Sequence, residues 1–135
     1  SIVHSFDYII IDRFIYTTFA YTMANVSEEC LDDIIKISKI IEPYFLKADY
    51  IFYIYTNPEL AWERKNNNSD KIETGNSSIE NKQNLKELFI KNQELANKYY
   101  QFIFNNKTNT IKLNGEFHLD TLSKTIYRKV CDDCG

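Results

Sequence analysis

An acidic residue and an arginine stand side by side directly after an apolar run near the start of the sequence. The run Phe6–Ile11 is rich in β-branched and aromatic residues and ends at Asp12-Arg13. The carboxylate of Asp12 can hold a hydrated magnesium ion, and the planar donor fork of Arg13 can clamp a phosphate group. The same dipeptide can also be a solvated ion pair, which contributes little stability. These two residues alone leave both interpretations open.

The residues that follow extend this pair into a longer motif. Residues 12–22 read Asp-Arg-Phe-Ile-Tyr-Thr-Thr-Phe-Ala-Tyr-Thr. This segment resembles D-R-[YFH]-x-x-S-x-x-A-[YF]-[QT], the signature of the thymidylate kinase family of P-loop nucleoside monophosphate kinases. Thr17 stands where the family usually has Ser, and Thr22 matches the eukaryotic and poxvirus-like branch.

The resemblance continues downstream and covers nearly all 135 residues in order. Residues 47–54 are similar to the family's K-P-D-L-V-x-x-L strand, and residues 58–64 are similar to P-E-x-A-x-x-R, which leads into the lid. Residues 70–73 resemble the lid motif [DE]-R-[IY]-E, with Lys71 in the place of Arg. The segment 12–22 is the more specific part of the match.

The resemblance implies transfer of the γ-phosphoryl group of ATP to dTMP, giving dTDP, with Mg²⁺ as cofactor. Such a reaction depends mainly on positioning and charge neutralisation. By the resemblance, Arg13 would bind the acceptor phosphate, and Asp12 would orient the magnesium shell. Arg64 and Lys71 would close over ATP from the lid. The residues that would line the nucleoside pocket are Phe14, Thr17, Tyr21 and Thr22.

Several of these residues also have a purely structural interpretation. Tyr21 could be a core aromatic residue, because aromatics at helical spacing usually are. Thr17 and Thr22 could be ordinary hydroxyls on a helix surface, and Arg64 could form a salt bridge at a helix end. Lys71 could be a solvated loop charge, since lysine lacks the bidentate fork of arginine.

The apolar pattern predicts strands that alternate with helices. Two buried runs and one shorter run predict strands, and spacing near 3.6 residues predicts helices between them. The predicted strands are 6–11, 50–55 and 110–113; the predicted helices are 16–24, one that follows Ser27, 58–65, 84–104 and a final one around 119–130. Residues 66–83 predict a mobile, lid-like loop. The alternation favours an α/β fold with a parallel sheet covered on both faces, in one partial domain spanning 1–135.

No G-x-x-x-x-G-K-[ST] motif occurs in this sequence. A phosphate cradle at a helix N-terminus therefore has no candidate here. The resemblance implies a three-layer α/β/α P-loop kinase fold that is incomplete, without the P-loop strand and helix. That strand would lie between the strand ending at Asp12 and the strand at 50–55, so both would expose unpaired edges. We expect catalysis only when an N-terminal P-loop half completes the chain.

Two other functions stay open. A deoxynucleoside kinase fragment would share the acid-Arg pair and the lid but phosphorylate a sugar hydroxyl. A degenerate kinase module without catalysis would serve protein interaction, which the missing P-loop and Lys71 motivate. The ending Ala20-Tyr21-Thr22 and the lid residues 70–73 favour the monophosphate kinase.

Charge and composition narrow the partners. A net charge of −3 and a pI near 5.4 give no general attraction to nucleic acid or anionic membrane, and no apolar run approaches a membrane span. Cys131 and Cys134 form a lone C-x-x-C, which is weak evidence for zinc and favours a reduced, cytoplasmic protein, or a nuclear one in a eukaryote. The expected partners are dTMP, ATP and, by the resemblance, a second copy bound through helices like those at 16–47.

Overall fold

The computed structural model describes residues 7–65 and 82–134. Its elements are helix α1 (Ile15–Asn25), helix α2 (Glu28–Ile41), a 3₁₀ turn (Glu42–Tyr44), strand β1 (Ile51–Tyr55), helix α3 (Pro58–Arg64), helix α4 (Lys82–Phe104), strand β2 (Thr110–Asn114) and helix α5 (Leu119–Cys134). The predicted helices and the strands at 50–55 and 110–113 are confirmed to within a few residues. The lid-like loop predicted at 66–83 lies outside the described residues except for its last two, which begin α4.

β1 and β2 run parallel, as the alternation of strands and helices predicts. Tyr53 stands opposite Lys112, and Tyr55 stands opposite Asn114. The connection between the strands includes α3 and α4, so the unit is a βαβ crossover. Within the described residues these two strands make the whole sheet. The architecture is therefore α/β with a parallel strand pair.

The strand predicted at 6–11 is wrong for the residues that the structure describes. Residues 8–11 belong to no strand, and Ile10 is 94% exposed and Tyr8 58% exposed. An apolar run becomes a strand only when its backbone groups bond to a neighbour, and neither β1 nor β2 pairs with this segment. Burial of β1 on both faces is also wrong, because Ile54 is 47% exposed.

The core is built around α4. This helix packs most extensively against α1 and also packs against α3. Ala20 of α1 and Ala96 of α4 are both fully buried, and these small side chains let two helix backbones approach closely. Trp62 of α3 packs its ring 5.3 Å from the ring of Phe89. The other buried apolar residues are Phe19, Met23, Tyr53 and Leu122.

The start of α3 follows the expected capping chemistry. The side chain of Asn57 accepts the backbone N–H of Glu59 at 2.9 Å, and Pro58 occupies the first helical turn. Both features satisfy or remove donors that a helix start leaves unpaired. Ser27 stands at the N-cap of α2 with extended backbone but makes no capping hydrogen bond through its side chain. In the part of the chain that is described, no helix is both long and apolar enough to cross a membrane.

Candidate functional site

Asp12 and Arg13 lie in a bend directly before α1. Both side chains are exposed, and Phe14 is the N-cap residue of the helix. Arg13 has φ of +52°, in the left-handed region where a side chain with a Cβ costs roughly 1–2 kcal/mol. Such strained residues cluster at functional sites. The bend therefore marks the surroundings of Arg13 as a candidate site, although no strand leads into it.

Thr17 is bound from the opposite helix by Tyr100. The Tyr100 hydroxyl of α4 donates to Oγ1 of Thr17 at 2.8 Å. Burial raises the pKa of Tyr100, while the Thr17 hydrogen bond and the positive charge of Arg13 lower it by less. Tyr100 therefore links α4 to Thr17, a residue of the sequence motif.

Tyr21 lies one helical turn beyond Thr17 and also faces α4. Its hydroxyl donates to Oε1 of Gln93 at 2.9 Å, and its ring meets the ring of Tyr100 edge-on at 6.4 Å. Residues four apart share one side of a helix, so Thr17 and Tyr21 present their hydroxyls along the same face of α1. Two hydroxyl groups of α1 are therefore turned to α4.

β1 adds a third tyrosine to this interface. The Tyr53 hydroxyl donates to Oδ1 of Asn97 at 2.9 Å, and its ring stacks on Tyr100 at 5.3 Å. Burial raises the pKa of Tyr53, and the neighbouring tyrosines add to the effect. Nε2 of Gln93 is buried and has no hydrogen-bond partner among the described residues. We name the following set the α1–α4 polar cluster: Thr17, Tyr21, Tyr53, Gln93, Asn97 and Tyr100.

Tyr100, Gln93 and Asn97 are missing from the sequence prediction. Positions 89, 93, 96, 100 and 104 follow the i, i+4, i+7, i+11, i+15 spacing of one helix face, so the signal is present. An apolar pattern does not show this face clearly, because the side chains of Gln93 and Tyr100 end in polar groups. The apolar pattern of α4 includes Phe102 instead, although Phe102 is 49% exposed.

Phe14 and Thr22 are not members of the α1–α4 polar cluster. The ring of Phe14 meets Tyr16 at 5.8 Å and Phe45 at 6.0 Å, both edge-on. It therefore belongs to an aromatic group beside the start of α1. Thr22 is half-buried and follows Tyr21, which places it about 100° further around the helix.

Arg64 ends α3 and is tied to the loop after β2. Its Nη1 donates to the carbonyl oxygen of Gly115 at 2.6 Å, and its Nη2 reaches that of Glu116 at 3.5 Å. Among the described residues, these two backbone carbonyls are the partners recorded for the Arg64 guanidinium. Lys71 lies outside the described residues.

A shallow cavity lies at the carboxyl end of the two strands. It measures about 310 Å³ and is lined by Tyr55, Lys112, Leu113 and Asn114. Nζ of Lys112 lies 4.9 Å from the centre of the Tyr55 ring. The carboxyl ends of parallel strands are where ligands bind in open α/β sheets. A cation and an aromatic ring therefore stand at the edge where a ligand is expected.

The carboxylate of Asp12 is suited to a magnesium site completed by water and substrate phosphates. The described residues contain no group of three His, Cys, Asp or Glu side chains that could hold a metal ion together. Asp12 is an exposed carboxylate next to an arginine. Magnesium is commonly held by one or two carboxylates with water and substrate phosphates. Asp12 fits a magnesium ion of that kind rather than a site built by protein ligands alone.

No protein-family model matches this chain, and neither a curated protein nor a solved structure matches it.

Proposed function

We propose that this chain is the acceptor-binding part of a thymidylate kinase, which transfers the γ-phosphoryl group of ATP to dTMP. One observation carries the proposal: the motif residues Thr17 and Tyr21 both contact Tyr100, and the motif residue Arg13 is exposed in the bend just before their helix. An exposed guanidinium next to two oriented hydroxyls offers complementary groups to a phosphate and a nucleoside.

The proposed roles follow the chemistry of each group. Arg13 binds the acceptor phosphate with its bidentate fork, and Asp12 orients the hydrated magnesium ion. Thr17 and Tyr21 contact the nucleoside. Magnesium, when bound, neutralises charge on the phosphates. The residues proposed for the border of the pocket are Phe14 and Thr22.

Arg64 and Lys71 are proposed to act on ATP. Because Arg64 donates to the carbonyl of Gly115, binding ATP phosphates requires it to exchange that hydrogen bond for a phosphate contact. The exchange is chemically reasonable, since a charged phosphate oxygen is a stronger acceptor than a neutral carbonyl. Lys71 would approach the same phosphates as a point charge.

The three-layer P-loop kinase fold is part of the proposal. β1 pairs with β2 on one edge, and the chain segment 7–11 carries exposed apolar side chains. A P-loop strand placed between them would pair the other edge of β1 and cover these side chains. Because this sequence contains no P-loop motif, catalysis is proposed for the chain together with such a half.

A homodimer through α1 and α2 belongs to the same proposal. Ile37 and Ile40 of α2 are 50% and 66% exposed. Exposed aliphatic side chains on one helix are suited to a contact between two copies. Sedimentation equilibrium of the wild-type protein and of Ile40→Lys would test it, since the lysine should shift the protein to monomers.

Competition between dTMP and thymidine tests the proposed function. We expect calorimetry to show dTMP binding at least about tenfold tighter than thymidine, because the phosphate adds a charge-assisted bidentate contact. Arg13→Gln should remove that preference, whereas Arg128→Gln on α5 should keep it.

Other results of the same binding experiment would support one of the two alternative functions. Equal binding of thymidine and dTMP to the wild-type protein would support a deoxynucleoside kinase. Binding of neither by the protein completed with a P-loop half would support a module for protein interaction.

A further inference from the structure

We propose that Tyr100 is a positioning residue that orients the Thr17 hydroxyl as a hydrogen-bond donor toward an oxygen atom of the acceptor nucleotide. The inference rests on the proposed function and deepens it. It assigns to α4 a part in a site whose motif lies wholly before and within α1.

The ring of Tyr100 is held from three sides. It stacks on Tyr53 at 5.3 Å and on Phe104 at 5.9 Å, and Tyr21 meets it edge-on. A ring fixed in this way aims its hydroxyl in one direction, and that direction is Oγ1 of Thr17 at 2.8 Å. The hydrogen bond is therefore set before any ligand arrives, which reduces the cost of ordering the site.

The hydrogen bond decides what Thr17 can do. A threonine hydroxyl has one proton and two lone pairs, and Tyr100 donates to one of the lone pairs. The proton of Thr17 therefore points away from Tyr100, and in the described part of the chain no acceptor is seen for it. An oxygen of the nucleotide would supply that acceptor.

The arrangement also strengthens Thr17 as a donor. A hydroxyl that accepts one hydrogen bond is polarised and donates the next one more strongly. Tyr100 and Thr17 thus favour an oxygen acceptor over a group that can only donate.

A double-mutant cycle on this 135-residue chain tests the proposal. The variants are Tyr100→Phe, Thr17→Val and both together, and calorimetry measures the dissociation constant of dTMP. We expect Tyr100→Phe to weaken binding about fivefold and Thr17→Val about tenfold, which are the losses expected for a single hydrogen bond. The double variant should bind within about twofold of Thr17→Val, because Tyr100 acts through the threonine.

Matched variants separate positioning from packing. Tyr99→Phe removes a hydroxyl from the adjacent position of α4 and should leave dTMP binding unchanged. Thr17→Ser keeps the hydroxyl, so it should bind within about twofold of the wild type, and adding Tyr100→Phe to it should restore the fivefold loss. Thr17→Val breaks the same hydrogen bond while keeping every aromatic ring, so the test does not depend on one variant.

Three results would overturn the proposal. The first is wild-type affinity in Tyr100→Phe, and the second is a double variant whose loss equals the product of the single losses. The third is an equal loss in Tyr99→Phe, which would show a general effect on α4. Failure of the wild-type protein to bind dTMP would instead overturn the proposed function, and this inference with it.

Discussion

The guanidinium of Arg64 donates a hydrogen bond to the carbonyl oxygen of Gly115 across 2.6 Å. This contact joins the end of α3 to the loop that follows β2, two points 51 residues apart in the sequence. The residues that come next after α3 and Lys65 are 66–81. The position from which the proposed lid departs is therefore fixed to the sheet edge by one side chain.

Replacing Arg64 by lysine should destabilise the protein. Lysine keeps the charge but loses the planar fork that spans two carbonyl groups, so we expect the free energy of unfolding to fall by about 1 kcal/mol. Urea denaturation of Arg64→Lys measures the change. Arg128→Lys on α5 is the matched control and should stay within about 0.5 kcal/mol of the wild type. Equal stabilities for the two variants would show that the Gly115 contact contributes nothing.

Gly115 should not tolerate a side chain. Its N–H donates to the carbonyl oxygen of Tyr55 at 2.6 Å, and a Cβ would lie 2.9 Å from that oxygen and 3.1 Å from Cγ2 of Ile54. The added methyl would also meet the hydroxyl oxygen of Thr56. Gly115→Ala should therefore cost about 2 kcal/mol, which thermal denaturation can measure.

A second substitution separates the two causes of this destabilisation, the Thr56 side chain and the Tyr55 backbone carbonyl. Thr56→Ala removes the hydroxyl but leaves the carbonyl of Tyr55 in place. The double variant Thr56→Ala/Gly115→Ala should therefore recover only part of the lost stability. Full recovery would show that the Thr56 side chain, and not the backbone at the strand ends, is what excludes a side chain at position 115.

Glu42 connects α1 with the turn before β2. The Tyr16 hydroxyl donates to Oε1 of Glu42 at 3.1 Å, and Nζ of Lys107 donates to the same oxygen at 2.5 Å. Lys107 also lies 5.3 Å from the centre of the Tyr16 ring. Burial, followed by the charge and hydrogen bond of Glu42, raises the pKa of Tyr16 to about 12.

Stability should fall in alkaline solution partly because of Tyr16. The folded pKa of about 12 exceeds the unfolded value of 10.0, so the contribution is complete below pH 10 and is lost as pH rises toward 12. Since Tyr16 is only half-buried, screening limits the effect to about 1 kcal/mol. Tyr16→Phe should flatten the decline of the unfolding free energy between pH 10 and 12 by that amount.

The control for this pH dependence is Tyr44→Phe. Tyr44 is 88% exposed, so its replacement should leave the alkaline decline as it is in the wild type. An identical decline in Tyr16→Phe and the wild type would show that the Glu42 contact does not carry the effect.

The sequence predicts the elements whose signals are local. Helix periodicity and the runs at 50–55 and 110–113 are all read from neighbouring residues, and the structure confirms them. The run ending at Ile11 has the same composition as β1, but strand formation depends on a neighbour that the run itself does not encode. Composition alone therefore could not separate the two segments.

For the candidate site too, the local motif could be predicted from the sequence, whereas the long-range contacts could not. The motif from Asp12 to Thr22 is visible in the sequence, and the structure turns Thr17 and Tyr21 to α4. Their partners Tyr100 and Gln93 are distant in sequence and occupy core positions with polar tips. Arg64 is paired with backbone carbonyls, which no residue type reveals. These long-range contacts could not be read from residue types and spacing.

Ile10 provides a test of the proposed three-layer sheet. Its side chain is 94% exposed in this 135-residue chain, so Ile10→Lys should change the unfolding free energy by less than about 0.5 kcal/mol. If a P-loop half completes the chain as proposed, the same residue is expected in a buried parallel sheet, where an unpaired lysine should cost more than about 2 kcal/mol. Leu119→Lys, at a position 72% exposed, should have a small effect in both proteins. Urea denaturation of the chain and of the completed protein measures all four values. A small effect of Ile10→Lys in both proteins would contradict the proposed sheet, because it would leave this segment outside the sheet even when the P-loop half is present.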